Sequence, residues 1–185
     1  MNLPIETPRL ILRRYRESDI PHVVAYSSHP SIARVVNWRS PEGMITPASV
    51  GSYIQSQSAI QPGDSQWLDL AVALKPDDEV IGSVGIICRD HRQGETGWVL
   101  STRHQGHGLA TEAAAAMLEY GFTQLDLHRI FAATTSWNER SWRLMERLGM
   151  RREACFRESE CVNGEWRDGL IYAILRREWV QRQAR

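Results

Sequence analysis

Gln105-Gly106-His107-Gly108-Leu109-Ala110 is the stretch of this sequence whose residue types and spacing point most directly to chemistry. Small residues stand there where a backbone must approach something closely. The segment follows an apolar run ending at Leu100 and leads into an alanine-rich run beginning at Leu109. The first amides of a helix have no intrahelical partner and the helix dipole favours negative charge, so a diphosphate can satisfy several of them together. Two glycines also serve an ordinary strand-to-helix turn. What favours anion binding is the position, between a strand and a helix. Rival nucleotide motifs fit poorly. Leu109-Ala110 stands where a P-loop needs lysine and serine or threonine, and a dinucleotide fingerprint would need a third glycine.

The elements that would hold this turn can be read from periodicity and caps. Arg9 to Tyr15 reads as a first strand, and Ser18-Asp19 as the cap of a helix through Val24. Short helical stretches are expected between Ser31 and Ile60, one starting at Thr46-Pro47. Trp67 to Leu74, alternating apolar and polar, and Val80 to Cys88 form a hairpin across Pro76-Asp77-Asp78-Glu79. Glu95 to Leu100 makes the strand before the glycine turn, and Leu109 to Thr123, rich in alanine and leucine, the helix after it. His128 to Thr135 reads as a strand buried on both faces. Asn138 to Leu148 reads as a helix closed by Gly149, and Met150 to Glu160 with Trp166 to Leu175 as a hairpin around Asn163-Gly164.

Bulk properties narrow the class. The 22 basic and 22 acidic residues cancel, which removes the overall field that gathers nucleic acid. The cysteines, Cys88, Cys155 and Cys161, are odd in number and lack metal or disulfide spacing, which favours a reducing compartment. The start, Met1-Asn2-Leu3-Pro4-Ile5-Glu6, has no basic leader before an apolar run, and no stretch approaches the roughly 20 apolar residues of a membrane span. A soluble cytoplasmic protein without nucleic-acid or membrane partners is expected.

At this point the sequence resembles the GNAT acetyltransferase superfamily, whose signature Q/R-x-x-G-x-G/A is matched by Gln105, Gly108 and Ala110. Ala110-Thr111-Glu112-Ala113 is similar to the family's continuation into its helix. Asn138-Glu139-Arg140-Ser141 with Leu144-Met145-Glu146-Arg147-Leu148-Gly149-Met150 resembles its second motif. The tail from Asn163 to Trp179 is similar to the subgroup containing ribosomal-protein-alanine N-terminal acetyltransferases. The resemblance implies one α/β domain over residues 7–179 with a tail at 180–185. Its fold would be a mixed, mostly antiparallel sheet of about seven strands flanked by helices. It also implies acetyl-CoA as donor, lying between the strand ending at Leu100 and the strand ending near Thr135, a primary amine as acceptor, no metal, and a possible homodimer.

Residue by residue, the resemblance assigns coenzyme contacts to Trp98, Val99, Leu100, Gln105, Gly106, His107, Gly108, Leu109, Ala110, Thr111, Asn138 and Ser141. Glu95 falls on a strand carboxylate that serves as base, directly or through water, and Ser141 is placed to hydrogen-bond the sulfur. Each could instead be structural, Glu95 as a solvated sheet-edge glutamate, Ser141 as a helix residue and Asn138 as a helix cap. Met145 occupies a position where relatives often carry an acidic tyrosine, so leaving-group help would fall to Ser141 or water. The demand on side chains is modest. An α-amine with pKa about 7.7 to 8.0 costs about 1 kcal/mol to deprotonate at pH 7, against about 4.6 for a lysine near 10.4, and a thiolate leaves without a strong acid.

Other signals are discounted. His104 and His107 lack a third ligand for zinc, and Cys155 and Cys161 read as buried or inert thiols. The seven tryptophans are assigned mainly to the core, with Trp38 reserved for acceptor contact, and Arg151, Arg152 and Arg157 to a solvated strand face. Two alternatives stay open, a coenzyme-binding regulatory module with little turnover and an enzyme using a bulkier donor such as succinyl-CoA.

Overall fold

The computed structural model describes residues 3–33, 35, 36, 38–162 and 164–184. Expectations placed on Met1, Asn2, Asn163 and Arg185 fall outside the described residues.

The elements follow the chain as β1 (Ile5–Glu6), β2 (Leu10–Arg13), α1 (Ile20–Ser27), α2 (Pro30–Ala33), α3 (Pro47–Ala59), β3 (Leu68–Leu74), β4 (Glu79–Arg89), β5 (Gln93–Leu100), α4 (Leu109–Thr123), β6 (Arg129–Thr135), α5 (Glu139–Arg147), β7 (Arg151–Val162), β8 (Glu165–Leu175) and α6 (Arg176–Gln183). Local chemistry explains most of the boundaries. Thr46 caps α3, its side chain accepting from the Ser49 amide while Ser49 returns a bond to the Thr46 amide, and Pro47 fills the first turn; such a cap contributes about 1 kcal/mol. Asn138 caps α5. Gly149 follows it with φ +85°, the left-handed conformation that closes helices.

One sheet of eight strands, ordered β1-β2-β3-β4-β5-β6-β8-β7, runs through the described residues, and all its neighbours are antiparallel except β5 and β6. The count exceeds the expected seven by the two-residue β1, too short to leave a pattern in the sequence. The helix α6 spans residues 176–183, a segment with almost no apolar periodicity, where Glu178 accepts from the Leu175 amide and Trp179 buries against Phe122.

Two cores flank the sheet. On one face Leu10, Leu12, Leu68, Leu70 and Val72 pack with Met117, Leu118 and Phe122 of α4; on the other Ala71, Ala73 and Val80 pack with Val23 and Tyr26 of α1 and Val50 and Ile54 of α3. Residues 68–73 of β3 are therefore all buried, and the alternation expected for a half-exposed strand is an alternation between two cores. Asp69 belongs to the second face, and it is the residue that made the pattern look polar.

Candidate active site

The strands β5 and β6 hydrogen-bond only between Gln93–Glu95 and Arg129–Phe131. Past that point β5 stays paired to β4 as far as Leu100, and β6 to β8 as far as Thr135. Each strand keeps its outer neighbour and loses its inner one, which opens a wedge between residues 96–100 and 132–135. Backbone groups that face the wedge have no strand partner, and a buried amide or carbonyl left bare costs about 1–3 kcal/mol. The wedge opens toward the carboxyl ends of both strands, where α4 and α5 begin, and such a crevice is where open α/β sheets take ligands.

Gly106 and Gly108, at φ +85° and +77°, turn the chain from β5 into α4. A Cβ on Gly106 would meet nothing within 4 Å, so this turn offers bare backbone to whatever approaches it. No side chain caps α4 at Gly108, whose carbonyl accepts the first helical bond, from the Glu112 amide at 3.0 Å. Ala110 and Thr111 lie half-buried in the first turn, and Leu109 is anchored in the core. The amides of this turn match what a diphosphate requires. Gln105 is different. Its side-chain amide donates to the Leu100 carbonyl at 3.0 Å, and its oxygen accepts from Arg140, so this side chain braces the turn against β5 and α5.

Arg9 carries no motif, and the structure brings it to the turn. Its guanidinium donates to the His107 carbonyl at 2.9 Å and to Glu112 at 2.7 Å, and its Nη2 lies 3.5 Å from where a Gly108 Cβ would be. Glu112 also accepts from the Arg9 amide and the Thr7 hydroxyl. Burial would raise the Glu112 pKa, but the hydrogen bonds from Thr7 and Arg9 outweigh it and hold the carboxyl below its ordinary value. Sequence reasoning missed both arginines of this site, Arg9 and Arg140, because each lies far from the glycines in the chain or in a different motif.

At the other lip of the wedge, Asn138 Oδ1 accepts from the Ser141 amide at 3.4 Å, which starts α5 and leaves Ser141 half-buried in its first turn. Met145, one turn further, is 1% exposed and packed in the core, so no proton donor stands at that position. Glu95 occupies the last closed rung, opposite Phe131, at the apex of the wedge. Its carboxylate is paired with Arg89 at 2.7 Å and its side chain is 28% exposed. Trp98 packs against the core on the α4 face and Val99 against the core on the opposite face, so β5 contributes chiefly backbone to the wedge.

The face that carries Val99 holds a second polar group that sequence reading left unnoticed. Asp69, 4% exposed, accepts at Oδ2 from the hydroxyls of Tyr15 and Tyr53, both at 2.9 Å, and its amide donates to Gln57 of α3. Burial lifts its pKa to about 6, against the downward pull of hydrogen bonds from Tyr15, Tyr53, Ser83 and Trp67. Trp38, expected at the acceptor, packs against Tyr53 with ring centroids 4.7 Å apart and planes tilted by 42°, and is itself buried. The other discounted residues divide. Trp38 and Trp179 are core, whereas Trp137 and Trp166 are exposed, and Cys155 and Cys161 are exposed on β7 rather than buried. Among the described residues no cluster of histidine, cysteine and acidic side chains could hold a metal ion, and no helix is long and apolar enough to cross a membrane.

Comparison with known proteins fits this geometry. Residues 9–151 match the model of the acetyltransferase (GNAT) domain. The chain is 34% identical over 177 residues to the uncharacterized N-acetyltransferase YnaD of Bacillus subtilis (strain 168), covering 95% of this chain and 98% of that protein. Among solved structures, an acetyltransferase of the GNAT family from Bacillus anthracis superposes with a TM-score of 0.79 at 30% identity, over 95% of this chain and 100% of that one. The ribosomal-protein-S5-alanine acetyltransferase of Vibrio fischeri shares the fold at a TM-score of 0.81 and 23% identity, over 96% of this chain and 99% of that one.

Proposed function

The chain belongs to the GNAT acetyltransferase family, and from that premise we propose that it binds acetyl-CoA in the wedge between β5 and β6 and hands the acetyl group to a primary amine arriving from the α1–α3 face. The observation that carries this reading is the loss of the β5–β6 ladder after Glu95, next to a glycine turn that exposes helix-start amides. Acetyl-CoA, the donor used by this family, would supply a thioester carbonyl to a neutral amine, the C–N bond forming as the C–S bond breaks and coenzyme A leaves as the thiolate.

The remaining work falls to the chain. Amides from Gly106 to Thr111 hold the pyrophosphate, with Arg9 and Arg140 adding positive charge beside them. The free backbone edge of Trp98, Val99 and Leu100 aligns the pantetheine arm as a substitute strand, and a Val99 donor at the thioester oxygen stabilises charge that develops during attack. Ser141, with Asn138 ordering the start of α5, offers a hydroxyl and the positive end of a helix to the departing sulfur. Met145 excludes a phenolic acid, and a thiolate does not need one. Glu95, at the wedge apex, orders water and draws off the proton that the nitrogen sheds as the amide forms. A peptide α-amine needs only about 1 kcal/mol of help at pH 7, which suits a protein N-terminus or a small amine of similar basicity. A homodimer belongs to the same reading and is checked by light scattering.

Thiol release from acetyl-CoA in the presence of N-terminally free peptides and small amines tests the proposal. Release that depends on both substrates is expected; absence of release with every amine contradicts it.

A further inference from the structure

Asp69 is a buried carboxylate that the reaction as described leaves unused. A buried anion normally has a cation beside it, since desolvation costs several kcal/mol. Among the described residues no lysine, arginine or histidine pairs with it; the buried guanidinium of Arg13 is engaged by Asp19 and Asp78. Neutral groups surround Asp69 instead: Tyr15 after β2, Tyr26 of α1, Tyr53 and Gln57 of α3, Trp67 and Ser83. Two other polar groups of the cluster, the Tyr26 hydroxyl and the Trp38 indole N–H, are buried without a hydrogen-bond partner.

Register connects this cluster to the wedge. Asp69 lies opposite Gly85, and Gly85 opposite Gly97, so Asp69 shares its face and its row with a residue at the wedge edge, two strand spacings or about 10 Å away. Neither glycine presents a side chain, and the Trp67 ring covers them: a Cβ on Gly85 would lie 2.2 Å from its Nε1. In the next row Ser83 lies between Ala71 and Val99, one strand from the wedge, and it is 4% exposed. On the far side of the cluster, Trp38 and Tyr53 line a groove of about 530 Å³ that opens to solvent along α3.

We propose that Ser83, Asp69 and Tyr53 form a proton relay from the acceptor amine to solvent. The relay rests on the acetyltransferase reading. The ammonium N–H bond breaks and its proton passes to Ser83 Oγ as the Ser83 hydroxyl proton passes to the Asp69 carboxylate, leaving a neutral amine with a free electron pair. The carboxyl then returns its proton through the Tyr53 hydroxyl to water in the groove, and Asp69 is again an anion. Asp69 takes the first proton, from the ammonium before attack, and Glu95, through ordered water, takes the second, which the nitrogen sheds as the amide forms.

The pH dependence of kcat/KM for an N-terminally free peptide tests the relay, with acetyl-CoA affinity measured in parallel by calorimetry. For the wild type, log kcat/KM falls with unit slope as the amine is protonated below about 8. It then steepens toward a slope of two below about 6, where Asp69 takes up its proton. Asp69→Asn should abolish the steepening, lower the rate at pH 7.5 at least tenfold, and leave acetyl-CoA affinity within twofold. Ser83→Ala, which leaves the carboxylate in place, should lower the rate three- to tenfold and keep the steepening. A merely structural Asp69 would lower the rate without moving the slope, and that result overturns the relay, as does a Ser83→Ala variant with an unchanged rate. A wild type that binds acetyl-CoA and acetylates no amine removes the acetyltransferase reading and the relay with it.

Discussion

The turn before α4 is built from six consecutive residues and presents backbone, whereas the cluster around Asp69 is assembled from side chains on β3, α1, α3, β4 and the segment after β2. In the proposed reading the first side grips a group that is always the same, a diphosphate, with peptide amides set by two left-handed glycines. In the same reading the second side faces the part of the reaction that varies, the acceptor, and uses residues that can be exchanged singly. A backbone site is written in local spacing and can be read in one pass. A side-chain site exists only after strands distant in sequence are brought together.

The difference can be broken most severely on the coenzyme side. Gly108→Glu places a bulky anion in the turn and should weaken acetyl-CoA binding at least a hundredfold by calorimetry, with the fold checked by circular dichroism. Gly108→Ala separates charge from strain: a non-glycine residue at φ +77° costs roughly 1–2 kcal/mol, so it should lower stability while reducing affinity far less. Equal affinity losses in the two variants would show that strain, and not the anion, closes the site.

On the acceptor side the signature is in stability. The folded Asp69 carboxyl sits at about 6, above the value near 3.9 of an unfolded chain. The native state therefore binds a proton more tightly, and Asp69 contributes stability that is complete below about pH 4 and is lost as pH rises through about 6. Unfolding by urea should show the wild type gaining on Asp69→Asn by up to roughly 3 kcal/mol between pH 7.5 and pH 4. A constant difference across that range would place Asp69 in a solvated setting.

Glu95→Gln should lower kcat for an α-amine by about tenfold with acetyl-CoA affinity unchanged, a loss below the usual general-base effect because water can still take the proton; an unaltered rate removes Glu95 from the reaction. Arg9→Ala should have the smallest effect, a few-fold loss of affinity that shrinks further in high salt, because its guanidinium is half exposed and already shared with Glu112.

The same contrast explains what was legible in the sequence. The α4 helix, Leu109–Thr123, was legible from a glycine turn at its start and a run of strong helix formers. The caps Thr46 and Asn138 were visible because capping is local. The wedge was not, since losing one ladder while keeping two others leaves no mark on strand periodicity; only the family resemblance implied it. Asp69 read as the polar half of an alternating strand, because nothing within β3 tells that Tyr15 and Tyr53 will cover it. Arg9 escaped for the same reason, 98 residues from the carbonyl it holds.

The central claim is that amides at the start of α4 grip the diphosphate while the wedge takes the pantetheine arm. A crystal structure of the acetyl-CoA complex tests it most directly. The account predicts the pyrophosphate within hydrogen-bonding distance of the amides between Gly106 and Thr111, and the pantetheine between Val99 and Thr134. Coenzyme bound elsewhere, with β5 and β6 still parted around an unfilled wedge, would contradict it.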